Sequence, residues 1–511
     1  MTSAAIAPVS ARLPRRASLQ PPSFPPRQAL VIGAILLVAT LIARGQTFGN
    51  PVLGFDEQFY LVVGDRLLGG ALPFVDVFDR KPIGLFLIYG FIRLLGGEGT
   101  IQYQLVAGLF AWGTATLVWR FAGRVGNARG AIAAALAYLL WLDLMEGEGG
   151  QAPVFFNLPV LWAAMLTEQA IRRGRIDWRA GLAPMLIVGV AIQIKYTALF
   201  EGIFFGCALL VGAWRARAGT ASLIGMAAVW VLMALLPTLV AYLAYLALGH
   251  GQDFLFANFI SMWGKLADPF ATSAIGLVTI AGILFPLTLC IILPPPADGE
   301  AQRRSLKFVY WWLAAAVAGM LVMRSFSTPQ YAMPVLVPAV IAAAPRLGQM
   351  RPSPRLVWPF LLVIFVASQI VLWSLQNLKG RAHEAALITR AATPARGCLF
   401  VYDGYPALYR LTHACVLSRF LFPGHLNMEN ENSARALGVA PTVEVRRILA
   451  QRPATIVMDD PPFERVNSTT YAIVRAEVAR HYVETFRMHT GDRNRLVFTR
   501  KDAVTPTAAR R

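Results

Sequence analysis

Twelve apolar segments, most of them near the length of a bilayer crossing, follow one another through this chain and are joined by short arginine-rich connections. They lie at residues 29 to 44, 82 to 95, 101 to 121, 131 to 142, 153 to 171, 181 to 194, 197 to 214, 222 to 248, 271 to 293, 308 to 323, 332 to 344 and 356 to 376. A hydrocarbon core of about 30 Å needs roughly 20 apolar residues per helical crossing and offers no water to backbone groups, so these segments must be helices. With 56% hydrophobic and 15% charged residues and a mean hydropathy of +0.53 over 511 residues, an ordinary soluble protein is excluded. The expected architecture is an all-α polytopic membrane bundle of about 11 to 13 crossings with a small C-terminal α/β domain.

A net charge of +19 would suit a nucleic-acid binder. The arginines, however, fall mainly in short connections, where the positive-inside rule accounts for them, and no nucleic-acid partner is expected. The leader, residues 1 to 28, carries Arg12, Arg15, Arg16 and Arg27 and no acid, which places the N-terminus in the cytoplasm and makes the first segment an uncleaved signal anchor. Connections holding Arg172, Arg173, Arg175 and Arg179, then Arg215 and Arg217, then Arg303, Arg304 and Lys307, then Arg346, Arg351 and Arg355 share that face; Lys195 and Arg324 lie on the other. Arg120, Arg124 and Arg129 belong inside as well, yet two segments separate them from the outward loop at 45 to 81. This parity conflict means that a short segment, 82 to 95 or 131 to 142, fails to cross, or that 222 to 248 hides a break.

The membrane domain is expected over 29 to 377. From 378 to 501 the apolar runs shorten to CLFVY and ATIVM, with helix-like stretches at 441 to 451 and 469 to 481, the pattern of a soluble α/β domain. An odd number of crossings puts it outside, on the periplasmic side of a bacterial inner membrane. There Cys398 and Cys415 can pair or stay free, whereas Cys207 and Cys290 lie in spans as packing residues. Residues 502 to 511 read as a disordered tail.

The outward loop holds the residues most open to chemistry. Asp56 and Glu57 open an amphipathic surface helix at 57 to 68, where Asp56 is either a helix cap or a carboxylate for acid/base work at the water boundary. Repulsion between the two acids should raise the pKa of one of them. Further along, Asp76 and Asp79 precede Arg80-Lys81-Pro82. Lys81 is either a snorkelling anchor or, with Arg80, a clamp for the phosphate of a lipid substrate. Lys195 in its apolar surroundings is a functional candidate by default. A second outer patch, DLMEGEGG, offers Asp143, Glu146 and Glu148 as a solvated loop or as contacts to an acceptor or metal. His413 and His425 lack metal-ligand spacing with the nearby cysteines, so zinc is not expected.

The order of these features resembles a known family: a first span, Asp-Glu in the first outer loop, a surface helix ending in Gly-Gly, then Lys-Pro-Ile opening the next segment. It is similar to the GT-C superfamily of integral-membrane glycosyltransferases, above all the protein O-mannosyltransferase and lipid A aminoarabinose transferase branch. GVAIQIKYTALF, RSFSTPQYAMPVLVPAV and VYDGYPALYRLTHACVLSRFLF resemble later stretches of that family. The resemblance implies inverting transfer, hexosyl or pentosyl, from a polyprenyl-phosphate sugar to a glycan, lipid or protein acceptor. It implies Asp56 as base, Glu57 assisting, and Lys81 on the carrier phosphate, with Arg80, Asp76, Lys195, Arg324 and Tyr331 as further substrate contacts. No cofactor is implied beyond a divalent cation. Arg80 stands where the aminoarabinose transferases carry an acid, which puts a metal there in doubt, and Thr-Pro-Gln at 328 to 330 replaces a common His. The rival expectation is a multi-pass transporter or flippase for a lipid-linked substrate, whose ionisable groups would gather at midspan.

Overall fold

The computed structural model describes residues 25–174, 176–295, 299–323, 326–462 and 465–503. The leader to residue 24, Arg175, Arg324 and the tail from 504 lie outside the described residues. Each of the twelve apolar segments becomes a helix. In chain order the helices of the first part are α1 (Pro26–Arg44), α2 (Phe55–Leu68), α3 (Ile83–Leu94), α4 (Thr100–Val125), α5 (Ala128–Leu144), α6 (Ala152–Arg173), α7 (Leu182–Ile192), α8 (Ala198–Arg215), α9 (Thr220–Ala247), α10 (Gly251–Leu255), α11 (Phe270–Ile292), α12 (Glu300–Met323), α13 (Met333–Gly348) and α14 (Val357–Lys379). Among the described residues, nine helical stretches are long and apolar enough to cross a membrane. This is a multi-pass membrane protein.

α13 is the centre of the bundle, with every residue buried except Arg346. Its run Ala342, Ala343, Ala344 keeps the helix thin enough for α4, α5, α11 and α12 to pack closely around it. The outer helices α9, α11 and α14 instead expose Leu, Ile, Val and Trp side chains, as helices solvated by lipid tails do.

The parity conflict is resolved at α3. Its twelve residues rise only about 18 Å, and both of its ends meet the C-terminal domain. Before it, Arg80 bonds Glu431; after it, Glu98 Oε2 lies 3.2 Å from Arg410 Nη1. α3 therefore turns back along α2, with Arg93 Nε on Asp65, and does not cross. Eleven crossings remain (α1, α4 to α9, α11 to α14), and every arginine-rich connection then falls on one face.

The rest of the chain forms α15 (Ala382–Ala392), β1 (Leu399–Val401), the short α16 (Leu408–Leu411), α17 (Gly424–Asn427) and α18 (Ala434–Leu437), then α19 (Pro441–Ala450), β2 (Thr455–Asp460), α20 (Ser468–His481), β3 (Tyr482–Thr490) and β4 (Arg493–Arg500). The sheet order is β1-β2-β4-β3, with β1 parallel to β2 and the other pairs antiparallel. Cys398 and Cys415 form a disulfide that closes the segment after α16 onto the start of β1. Closing a loop of this size removes about 3 kcal/mol of unfolded-state entropy. Cys398→Ser should lower the unfolding free energy of this domain by about that amount, and thiol labelling of the denatured, unreduced wild type should find Cys207 and Cys290 alone.

Candidate active site

α2 begins at Phe55, one residue earlier than Asp56, and its cap is Gly54, with no side-chain capping bond. Asp56 is therefore not a helix cap. Its half-buried carboxylate makes no hydrogen bond or ion pair among the described residues. Four residues on, and so on the same helix face, the Tyr60 hydroxyl is buried without a partner. The Lys81 ammonium sits 5.7 Å from the centre of the Tyr60 ring.

Lys81 is held from behind. The Asp79 carboxylate accepts the backbone N–H of Arg80 and of Lys81, the latter at 2.9 Å, and stands 3.7 Å from the Lys81 ammonium. Burial disfavours the Lys81 charge, but Asp79 and then Asp56 outweigh it and raise its pKa. Lys195, in the turn between α7 and α8, is stacked 4.9 Å from the centre of the Tyr331 ring, which opens α13's entry turn. Burial and then the Lys81 charge lower the Lys195 pKa to about 8, against the pull of Asp56. A free carboxylate, two lysines from separate segments and two tyrosines thus share one electrostatic neighbourhood. The backbone of the Lys195 turn also meets the start of α3, where Leu85 N–H donates to Gln193 O at 3.2 Å.

Glu57 points the other way. It is 1% exposed, accepts a bond from Gln151 Nε2 at 3.1 Å, and lies between the start of α2 and the loop after α5. A Cβ on Gly54 would come within 2.4 Å of Glu57 Oε2, and one on Gly149 within 2.6 Å of Oε1, so both glycines are needed to admit the carboxyl. Burial, then Glu148 and Asp56, push its pKa well up. The expected Asp56 repulsion is present, but burial exceeds it.

Two solved structures are similar along nearly the whole length. ArnT from Cupriavidus metallidurans bound to undecaprenyl phosphate matches at TM-score 0.58 and 17% identity, over 94% of this chain and 99% of that one. The apo state of the same protein matches at TM-score 0.59 and 17% identity, over 92% and 97%. The chain has the GT-C fold. No protein-family model and no curated protein matches it.

Within this GT-C fold, the residues singled out from sequence separate into two groups. Asp56, Lys81, Lys195 and Tyr331 come together. Arg80 does not join them: its guanidinium makes paired 2.7 Å bonds to Glu431, with further bonds to Ser261 Oγ at 2.6 Å and Ala436 O at 2.9 Å. That is a buried strut to the C-terminal domain, with no fork left for an anion. Asp76 is exposed and closes a turn onto Leu72 N–H at 2.7 Å. In the loop after α5 Glu146 pairs with Lys379 at 3.0 Å, Asp143 is fully buried with both oxygens unpartnered, and Glu148 is buried. Glu146 ties the loop to α14, while Asp143 and Glu148 are buried beneath it instead of opening to solvent. Among the described residues, no group of three or more His, Cys, Asp or Glu could hold a metal ion. Sequence reading missed Tyr60 and Asp79 as site residues. The signals were there: Tyr60 is one helical turn from Asp56, and Asp79 precedes Lys81 at the spacing of an Asx turn.

Proposed function

We propose that this protein is an inverting glycosyltransferase of the outer membrane face, moving a sugar from a polyprenyl-phosphate carrier to a lipid-linked glycan, lipopolysaccharide or protein acceptor in a bacterial inner membrane. The observation that carries the reading is the uncommitted Asp56 carboxylate beside two lysines that are held for an anion. ArnT, which shares the fold, is a protein whose structure holds undecaprenyl phosphate. The carrier phosphate would lie between Lys81 and Lys195, with the Tyr60 hydroxyl free to donate to it. Asp56 takes the proton of the acceptor hydroxyl as its oxygen bonds to the anomeric carbon. The bond from that carbon to the phosphate oxygen breaks, the electron pair stays with the phosphate, and the two ammonium groups neutralise it.

The outer setting is supported by the eleven crossings and by the disulfide, since such bonds persist in oxidising compartments. A transporter would gather its ionisable groups near the midplane, whereas Asp56, Lys81 and Lys195 sit at one end of the bundle, on the face of the C-terminal domain. The test is transfer of labelled sugar from undecaprenyl-phosphate sugars to membrane extract by the purified protein, with release of free undecaprenyl phosphate. No release with any such donor would defeat the reading.

The lysine pair also sets a pH dependence. As pH rises through about 8, Lys195 loses its charge and the affinity for undecaprenyl phosphate should fall. A Lys195→Arg protein keeps its charge across that range, so a fluorescence titration should find its affinity nearly flat from pH 7 to 9.5 while the wild type weakens several-fold.

A further inference from the structure

Residues 378 to 511 carry twenty Lys and Arg against twelve Asp and Glu, which is +8 of the chain's +19. The positive-inside rule orients short connections and does not govern long translocated domains, so it leaves this excess unexplained. Part of it converges on one cavity of about 760 Å³ between α19, α20 and the open ends of β3 and β4, within the range of about 300–1,000 Å³ typical of ligand sites. Arg446, Arg452, Arg480, Arg500 and Lys501 line it, opposed by Glu477 and Asp502. Asp502 is bound by Arg500, and neither Arg446 nor the Arg480 side chain has a partner among the described residues. The rim is built: Arg500 Nη1 donates to Arg452 O at 2.7 Å, Lys501 Nζ to Arg480 O at 2.8 Å, and the Tyr482 hydroxyl to Pro453 O at 2.7 Å. Leu449, Ile473 and the Tyr482 ring add an apolar lining.

We propose that this cavity binds the phosphate or carboxylate groups of an anionic glycan, holding the acceptor at a point remote from the transfer site. The turn between β3 and β4 packs on Leu378 at the end of α14, whereas Tyr482 and Arg500 are at the far end of that hairpin. At about 3.3 Å per residue the cavity stands roughly 25 Å from the end of α14. A lipid headgroup beside the end of α14 does not span that distance, whereas an extended saccharide rooted there does. The proposal rests on the transferase reading only in making this glycan the acceptor.

The test uses full-length protein in neutral-lipid nanodiscs, without any sugar donor, so a failure of transfer and a failure of this site read separately. Phosphorylated mannopentaose is titrated against its dephosphorylated form. The phosphorylated glycan should bind at least tenfold tighter, lose that advantage above 0.5 M salt, and lose it in an Arg446→Ser/Arg480→Ser variant. Glu477→Gln, which removes an opposing charge, should tighten binding. Equal binding of the two glycans, or an unchanged affinity in both variants, would overturn the proposal. So would anionic-lipid vesicles competing for the site as well as the phosphorylated glycan does.

Discussion

Asp56→Asn should lower the turnover for sugar transfer by about 10²–10⁴-fold, the range found when a positioned general base is removed. Affinity for undecaprenyl phosphate should change far less, because Lys81 and Lys195 remain. The amide keeps the size of the carboxylate but cannot take the acceptor proton. The expectation is sharpened by the absence of a structural role: the helix is capped by Gly54, and Asp56 makes no bond whose loss would unfold α2. The substitution should accordingly leave the unfolding midpoint within a degree or two. Single-turnover kinetics with a labelled donor separate the outcomes. A normal turnover in a folded Asp56→Asn protein would remove the base from the mechanism.

Arg80→Ala should have a different and equally large consequence, a loss of about 3–5 kcal/mol of stability, as expected when one partner of a buried ion pair is removed. Glu431 would be left 4% exposed without its fork. Lys265, 3.5 Å from Glu431 Oε1 and one-third exposed, offsets only part of that loss. Because the strut also ties Ser261 and the Ala436 carbonyl, hydrogen exchange should rise together at residues 78–82, 258–264 and 431–437. Arg80→Met combined with Glu431→Met should recover most of the stability, since it leaves no buried charge unpaired. If Arg80→Ala unfolds like the wild type but loses donor affinity, the guanidinium is a ligand and the strut is secondary.

Much of the fold is legible in the sequence because lipid imposes a length and an apolar composition that no other environment does. All twelve segments became helices for that reason. The exception, α3, is informative: it has the composition of a span and is no shorter than α7, so only the contacts made at Arg80 and Glu98 show both its ends on one face. The β3–β4 hairpin escaped notice because β3 alternates exposed polar residues with half-buried ones and has no continuous apolar run. In the site, Asp56, Lys81 and Lys195 were legible as single unusual residues, and Tyr331 only through the family resemblance. That they meet was not, since they come from four segments spread over 276 positions. Arg80 was misleading for the same reason. A cation next to Lys81 reads as a second phosphate ligand until Glu431, 351 residues later, is seen to occupy it. Glu57 likewise reads as an assistant to Asp56 and Glu148 as a solvated loop acid or an acceptor contact, and only the structure shows both buried, with Glu57 bonded to Gln151.

The claim that the rest depends on is that a lipid-borne phosphate lies between the two lysines with the Asp56 carboxylate beside it. An electron cryo-microscopy structure of the protein with undecaprenyl phosphate tests it most directly. The phosphate should be found within about 3 Å of both the Lys81 and Lys195 ammonium groups, under the first turn of α2 and with its isoprenoid tail running into the bundle. A phosphate bound elsewhere, with Lys81 still turned onto Asp79 and Lys195 onto Tyr331, would contradict the account.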